Sequence, residues 1–515
     1  MDRVQTQSGW VEGERRAAHT VFRGIPFAKP PLGKLRLRAP EPPEPWTGTR
    51  PAHAFGPSSL QLRSRLSTDT VPQPLSEDCL YLNVYTPAAD GARRPVFFWI
   101  HGGAFTVGSG GEQLYDGGAL AERGDVVVVS INYRLGALGF CHFNEAERAQ
   151  LGVTSNAGCL DQIAALRWVQ ANIAAFGGDP AQVTIAGESA GAYSVSMLLA
   201  MPAARGLFQR AIAQSGARLT RRAGDPYRPT QELLRALDVS PAALEALWKV
   251  PAERILEAQA SLSNGGDAAV TGGTRAFSPV HDGDTLPFAL DDAFARGACA
   301  KVPLLIGTNR DEMNLFIGPG LKKLHEPISE TALMEQLSQL VPKASPPQLR
   351  GLFEIYQRSR SARGLPHGDR ALLAAISSDA LWRIPSLRFA DAYRTQQPRI
   401  YQYLFTYGSP AMRGALGACH ALELAFVFGT LASPGQAQFA GSGEAQTRLS
   451  EHMMDAWLAF TRSGDPSLPG EAQQWPVSDL ERRPTMVFDV QSRLELAPYE
   501  EERAAWADLT PRPLQ

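Results

Sequence analysis

Gly187-Glu188-Ser189-Ala190-Gly191 sets a serine between two glycines in the pattern G-x-S-x-G. A serine hydroxyl in that setting is suited to attack an acyl carbon, provided a base takes its proton. The pentapeptide alone is a weak signal, because a glycine-rich turn with a solvated serine reads the same way. Its surroundings decide. The apolar run Val183–Ala186 leads into it, and the helical run Ala192–Met201, stopped by Pro202, leads out. Strand, sharp turn and helix make the setting of a nucleophile elbow, where glycines are needed two positions either side of the serine.

Acyl transfer develops a negative oxygen, which fixed backbone N–H donors stabilise best. The elbow offers the N–H of Ala190. Further donors are expected from a loop after an earlier strand, and His101-Gly102-Gly103-Ala104-Phe105 follows Val96–Ile100 in that place. The N–H groups of Gly103 and Ala104 are therefore assigned to the oxyanion hole. His101 is expected to be a structural hydrogen-bonding residue.

A neutral serine is a poor nucleophile, so it needs a histidine held by a carboxylate. With an elbow, the chain order is serine, acid, histidine. The strand Val302–Ile306 runs into Thr308-Asn309-Arg310-Asp311-Glu312, which offers Asp311 and Glu312. The residues alone favour neither, and the one not used is expected to be solvated. His325, His367, His420 and His452 follow. His452 falls in an amphipathic helical pattern, and His325 and His367 in a stretch read as a cap. His420 lies beyond the strand-like run Ile400–Tyr407 and before an apolar helix start, Ala421–Phe428, so it is chosen as the base.

These parts need a scaffold. Short runs rich in Val, Ile and Phe, each ending in a glycine-rich or polar loop, fit strands buried on both faces. Helical stretches such as Asp161–Phe176, closed by Gly177-Gly178, lie between them. That alternation argues for an α/β chain with a mostly parallel sheet flanked by helices. Residues 1–60, with Pro26, Pro30, Pro31, Pro40, Pro42, Pro43 and Pro45, suit turns and edge strands. No linker or repeat breaks the chain, so 1–515 is read as one domain. Residues 218–275 and 318–395 are read as helical cap insertions.

Composition removes other classes. Lys+Arg 50 against Asp+Glu 52 leaves a net charge of −2, with no surplus to attract a nucleic-acid backbone. The apolar runs are far shorter than the roughly 20 residues of a membrane span. Cys79, Cys141, Cys159, Cys299 and Cys419 form no CxxC pair and no disulfide framework, which fits a reduced, cytoplasmic protein without structural zinc.

The chain resembles the type B carboxylesterases, the α/β-hydrolase family that includes bacterial p-nitrobenzyl esterases and the cholinesterases. Two long stretches carry the resemblance: Glu77-Asp78-Cys79-Leu80-Tyr81-Leu82-Asn83-Val84-Tyr85, and Phe176-Gly177-Gly178-Asp179-Pro180 continuing through Val183–Gly191. Phe22–Ala28, Asn132–Phe140 and Gln214-Ser215-Gly216 support it. The resemblance implies an α/β-hydrolase fold and hydrolysis of small to medium carboxylic esters through an acyl-enzyme, with no metal or organic cofactor. It makes Glu312 the carboxylate partner of His420, with Ser189 the nucleophile. It also implies the ion pairs Arg36–Glu77 and Arg134–Asp161, and a buried acidic network of Glu188 and Glu423. The chain departs from the family pattern at Ala421 and Met313, where family members often carry glycine. It matches least over residues 318–412. Adhesion proteins of the same fold are a non-catalytic alternative, but they lose residues that this chain keeps.

Overall fold

The computed structural model describes residues 2–62, 73–217, 227–262, 277–317, 326–470 and 474–511. Its centre is a thirteen-stranded sheet. Seven neighbouring strands pair in parallel, in the order Val127–Ile131, Arg94–Ile100, Gly178–Glu188, Arg210–Gln214, Leu304–Asn309, Ile400–Phe405 and Pro484–Phe488. Antiparallel strands flank them, with Tyr81–Thr86, Thr20–Pro26, Gly9–Arg15 and Asp2–Thr6 on one side and Arg493–Leu496 on the other. The expected mostly parallel sheet is therefore present, and the proline-rich N-terminal stretch supplies edge strands and turns.

The central parallel strands are largely apolar because helices cover both faces. Arg94–Ile100 is buried at every position, with Val96, Phe98 and Ile100 in one apolar cluster and Phe97 and Trp99 in another. Two consecutive strands in sequence, Arg94–Ile100 and Val127–Ile131, lie in reversed spatial order, and the chain then crosses back to Gly178–Glu188. The strand order thus switches between Arg94–Ile100 and Gly178–Glu188, and ligands of open α/β sheets bind beyond the carboxyl ends at such a switch. The loop 101–105 and the turn 187–191 both leave the sheet there.

Local differences from the sequence reading have physical causes. The run Val183–Ala186 belongs to a longer strand, Gly178–Glu188, whose register shifts between Gly178 and Val183. The helix expected from Asp161 begins at Ala157 and tightens into a 3₁₀ turn, Ile173–Phe176, before Gly177 closes it in the left-handed conformation. The helix start expected at Ala421 is instead a left-handed residue, and only Leu424–Val427 is helical.

Of the two stretches read as caps, residues 218–226, 263–275 and 318–325 lie outside the described residues. Elsewhere they hold the helices Arg228–Ala236, Ala252–Leu262, Glu330–Leu340, Pro346–Ala362, Asp369–Ser378 and Ile384–Tyr393. A π turn, Asp379–Arg383, joins the last two. Helices of this second group enclose an apolar cluster separate from those of the sheet, containing Leu337, Leu352, Ile376, Trp382 and Trp506. Among the described residues no helix is long and apolar enough to cross a membrane.

Candidate active site

Ser189 sits at the junction of the strand Gly178–Glu188 and the helix Ala190–Ala200, with φ 54° and ψ −119°. Such a conformation costs a non-glycine residue on the order of 1–3 kcal/mol. Packing holds it there. Ser189 N–H donates to Gln214 O at 2.9 Å, and Tyr193 N–H donates to Ser189 O at 3.0 Å. A methyl group on Gly187 would come within 2.5 Å of the Gly191 backbone, and one on Gly191 would overlap the carbonyl oxygen of Ile100. The glycines are thus demanded by the turn and also by the neighbouring strand.

The loop after Ile100 carries three consecutive left-handed residues, Gly103, Ala104 and Phe105 (φ 105°, 55° and 61°). A Cβ on Gly102 would lie 2.8 Å from Glu188 Oε2 and 3.2 Å from Ser189 Cβ, so only glycine lets this loop close onto the elbow. Among the described residues the N–H groups of Gly103 and Ala104 donate to no backbone or side-chain acceptor. Ala190 heads its helix, where first-turn N–H groups lack an intrahelical partner. His101 is buried, its ring stacked on Tyr133 with centroids 4.5 Å apart. Burial pushes its pKa down to about 4, so it is neutral and structural.

The expected acid and base come from two loops beyond parallel neighbours. Glu312 follows the strand Leu304–Asn309, and His420 follows Ile400–Phe405 by a longer excursion. His420 Nδ1 lies 2.6 Å from Glu312 Oε2, and Glu312 Oε1 accepts the N–H of Asn309 at 2.8 Å. The other ring nitrogen, Nε2, stands 3.0 Å from Glu188 Oε1, an approach without hydrogen-bond alignment. Among the described residues no hydrogen bond joins Ser189 Oγ to His420. The fold therefore brings Glu312 and His420 into direct contact, and places Ser189 next to Glu188 at the elbow without closing the last link.

Charge around His420 is concentrated. Burial opposes a proton on His420, but the carboxylates of Glu188 and Glu312 outweigh it and hold the imidazole well above its ordinary range. Glu423, fully buried, is pushed up to about 8 by burial and by the same two carboxylates. It accepts from Asn309 Nδ2 at 2.6 Å and Gln214 Nε2 at 3.2 Å. The buried acidic network implied by the resemblance is in place. So are the ion pairs: Arg36 forks onto Glu77 at 2.7 and 2.6 Å, and Arg134 onto Asp161 at 2.8 and 2.6 Å.

The remaining histidines stand apart from this cluster. His367 is exposed and contacts Leu365 O, and His452 packs edge-on to Phe488 from the helix Glu444–Ser463. His325 lies outside the described residues. Among the described residues no group of three or more His, Cys, Asp or Glu side chains is disposed to hold a metal ion.

A family model described as the carboxylesterase family matches residues 1–506. The chain belongs to the carboxylesterase family. Hydrolysis of carboxylic esters follows from that membership. This carboxylesterase is 39% identical to a para-nitrobenzyl esterase of Bacillus subtilis over 504 residues, 97% of each chain. It is 36% identical to a cocaine esterase of Oryctolagus cuniculus, covering 92% of this chain and 88% of that one. Among solved structures, a PNB esterase superposes with a TM-score of 0.85 at 37% identity, over 98% of this chain and 99% of the other. A Geobacillus stearothermophilus carboxylesterase superposes with a TM-score of 0.83 at 40% identity and the same coverage. The architecture is the α/β-hydrolase fold.

The structure adds to the sequence reading of this carboxylesterase in three places. Asp311, which the sequence places in solvent as the unused carboxylate, is buried and bound to Arg310, Arg360 and the Ala418 N–H. Two adjacent acidic residues carry no mark of which faces inward. Phe316 and Trp382 stack on one another and lie against the His420 ring, with centroids 5.1 and 5.4 Å from it. Trp382 gets there from the π turn, which has no sequence signature. The third is the departure at Met313. Its N–H donates to Ser378 Oγ and its side chain enters the separate helical cluster, so that position needs no glycine.

Proposed function

We propose that the chain is a serine esterase acting on small to medium carboxylic esters through an acyl-enzyme. Ser189 Oγ gives its proton to His420 Nε2 and attacks the ester carbonyl carbon. The N–H groups of Gly103, Ala104 and Ala190 receive the developing oxyanion. Glu312 holds Nδ1–H and so fixes the tautomer in which Nε2 accepts. His420 then protonates the departing alcohol, and a water activated the same way releases the acid. Nε2 must leave Glu188 and reach Ser189 Oγ for the first step, an adjustment common when a free site meets its substrate.

The observation that carries this reading is the 2.6 Å contact between Glu312 and His420, residues 108 positions apart in sequence, beside a serine held in a left-handed elbow. The whole chain, 1–515, is read as one catalytic domain, with the helical insertions about 218–275 and 318–395 capping the site. A cytoplasmic location is supported by five cysteines that are all free and buried. The test is turnover of a short-chain nitrophenyl ester. Ser189→Ala is expected to abolish it, and a serine-directed organophosphate is expected to label the native chain but not the variant. Substantial residual turnover would mean another nucleophile.

A further inference from the structure

The loop that bears His420 is stapled to the acid loop by a side chain outside the proposed mechanism. Asp311 N–H donates to Ala418 O at 2.9 Å, and Ala418 N–H returns a hydrogen bond to Asp311 Oδ2 at 3.0 Å. Arg310 Nε also donates to Oδ2, at 3.0 Å, and Arg360 Nη2 reaches Oδ1 at 3.4 Å. Ala418 stands two residues before His420. Gly417, with φ 56°, approaches so closely that a Cβ there would lie 2.6 Å from Asp311 Oδ2. Asn309 Nδ2 donates to Cys419 O at 2.7 Å, and His420 N–H approaches Glu312 O at 3.4 Å. Residues 417–420 are thus read, one after another, by residues 309–312.

We infer that Asp311 is the positioning residue for the base: its buried carboxylate fixes the loop Gly417–His420 and thereby places the imidazole against Glu312. The inference rests on His420 being the base. The charge is needed as well as the shape. Burial opposes ionisation of Asp311, yet Arg310 and Arg360 overcome it and hold the carboxyl below the usual carboxylate range. An ionised oxygen makes a stronger acceptor for the Ala418 N–H than a neutral one. Arg360 sits near the end of the helix Pro346–Ala362 and also donates to Pro366 O at 2.9 Å. The clamp therefore ties a helical insertion to the base loop through a single carboxylate.

Displacement of a reacting group by about 1 Å can cost 10²-fold in rate. Asp311→Ala is therefore expected to lower kcat by about 10²-fold with KM changed less than about twofold. As the imidazole slips from Glu312, the acid limb of the pH profile for kcat/KM should move down toward the ordinary histidine value. Asp311→Asn keeps an acceptor for the Ala418 N–H and should recover part of the rate. Gly417→Ala, which forces a methyl onto Asp311, should reproduce the loss and the shifted limb, and stands in if Asp311→Ala does not fold. The inference is overturned if either folded variant keeps the native kcat and limb. It is equally overturned if activity falls in proportion to folded protein, by near-UV circular dichroism, while the limb stays in place. His420→Ala with undiminished turnover would sink the assignment of the base instead.

Discussion

Glu188 Oε1 stands 3.0 Å from His420 Nε2, on the ring nitrogen that Glu312 does not hold. The imidazole is flanked by two carboxylates, which raise its pKa against burial. A base must be neutral to accept a proton, so activity should fall as pH drops through a midpoint above the ordinary histidine value near ~6.5. Removing one flanking charge with Glu188→Gln should move that midpoint down. A pH series of kcat/KM on both proteins checks this, and an unmoved midpoint would assign the limb to another group.

Glu423 gives a stability signature. Its native pKa of about 8 exceeds the unfolded value near ~4.3, so the native state binds the proton more tightly. The stability it contributes is fully present below the unfolded value and is lost as pH rises through about 8. Glu423→Gln removes that titration. The melting temperature of the variant relative to wild type should climb between pH 5 and pH 9, and a constant difference would contradict the assignment.

Gly191 has no room to grow. A Cβ would overlap the carbonyl oxygen of Ile100, which is backbone and cannot swing aside. Gly191→Ala must push the helix Ala190–Ala200 off the strand Arg94–Ile100. Overpacking of this kind costs about 1–3 kcal/mol, and a fall in kcat of about 10²-fold should accompany it. Denaturant midpoints and turnover of a nitrophenyl ester measure the two effects separately.

Ala421 lies in the left-handed region at φ 64°. That conformation costs a residue with a Cβ about 1–2 kcal/mol, whereas glycine loosens the unfolded chain by about 0.4–1 kcal/mol. Ala421→Gly should therefore stabilise the protein by up to about 1.6 kcal/mol, visible as a higher urea midpoint. Destabilisation would show that the methyl group earns its place through packing.

What the sequence reveals and what it hides divide along the range of the contacts. The elbow around Ser189 and the glycine loop after Ile100 are legible because their demands are local: glycine stands where a neighbouring backbone leaves no space, at Gly102, Gly187 and Gly191. The parallel strands are legible because they are apolar on both faces. The choice of Glu312 over Asp311 is legible only through the family resemblance and not from the residues alone, since it depends on which carboxyl meets a histidine 108 positions away. The left-handed turn at Ala421 is hidden because alanine reads as a helix former. Trp382 is hidden because its place depends on a π turn and on packing against Phe316.

Trp382 also belongs to the helical cluster with Leu337, Leu352 and Trp506, not to the apolar layers on the sheet. The ring beside the imidazole is thus anchored in a compartment of its own. Substitutions there can reshape the surroundings of His420 while every strand keeps its register, so the environment of the imidazole and the frame that carries it are set by separate parts of the chain.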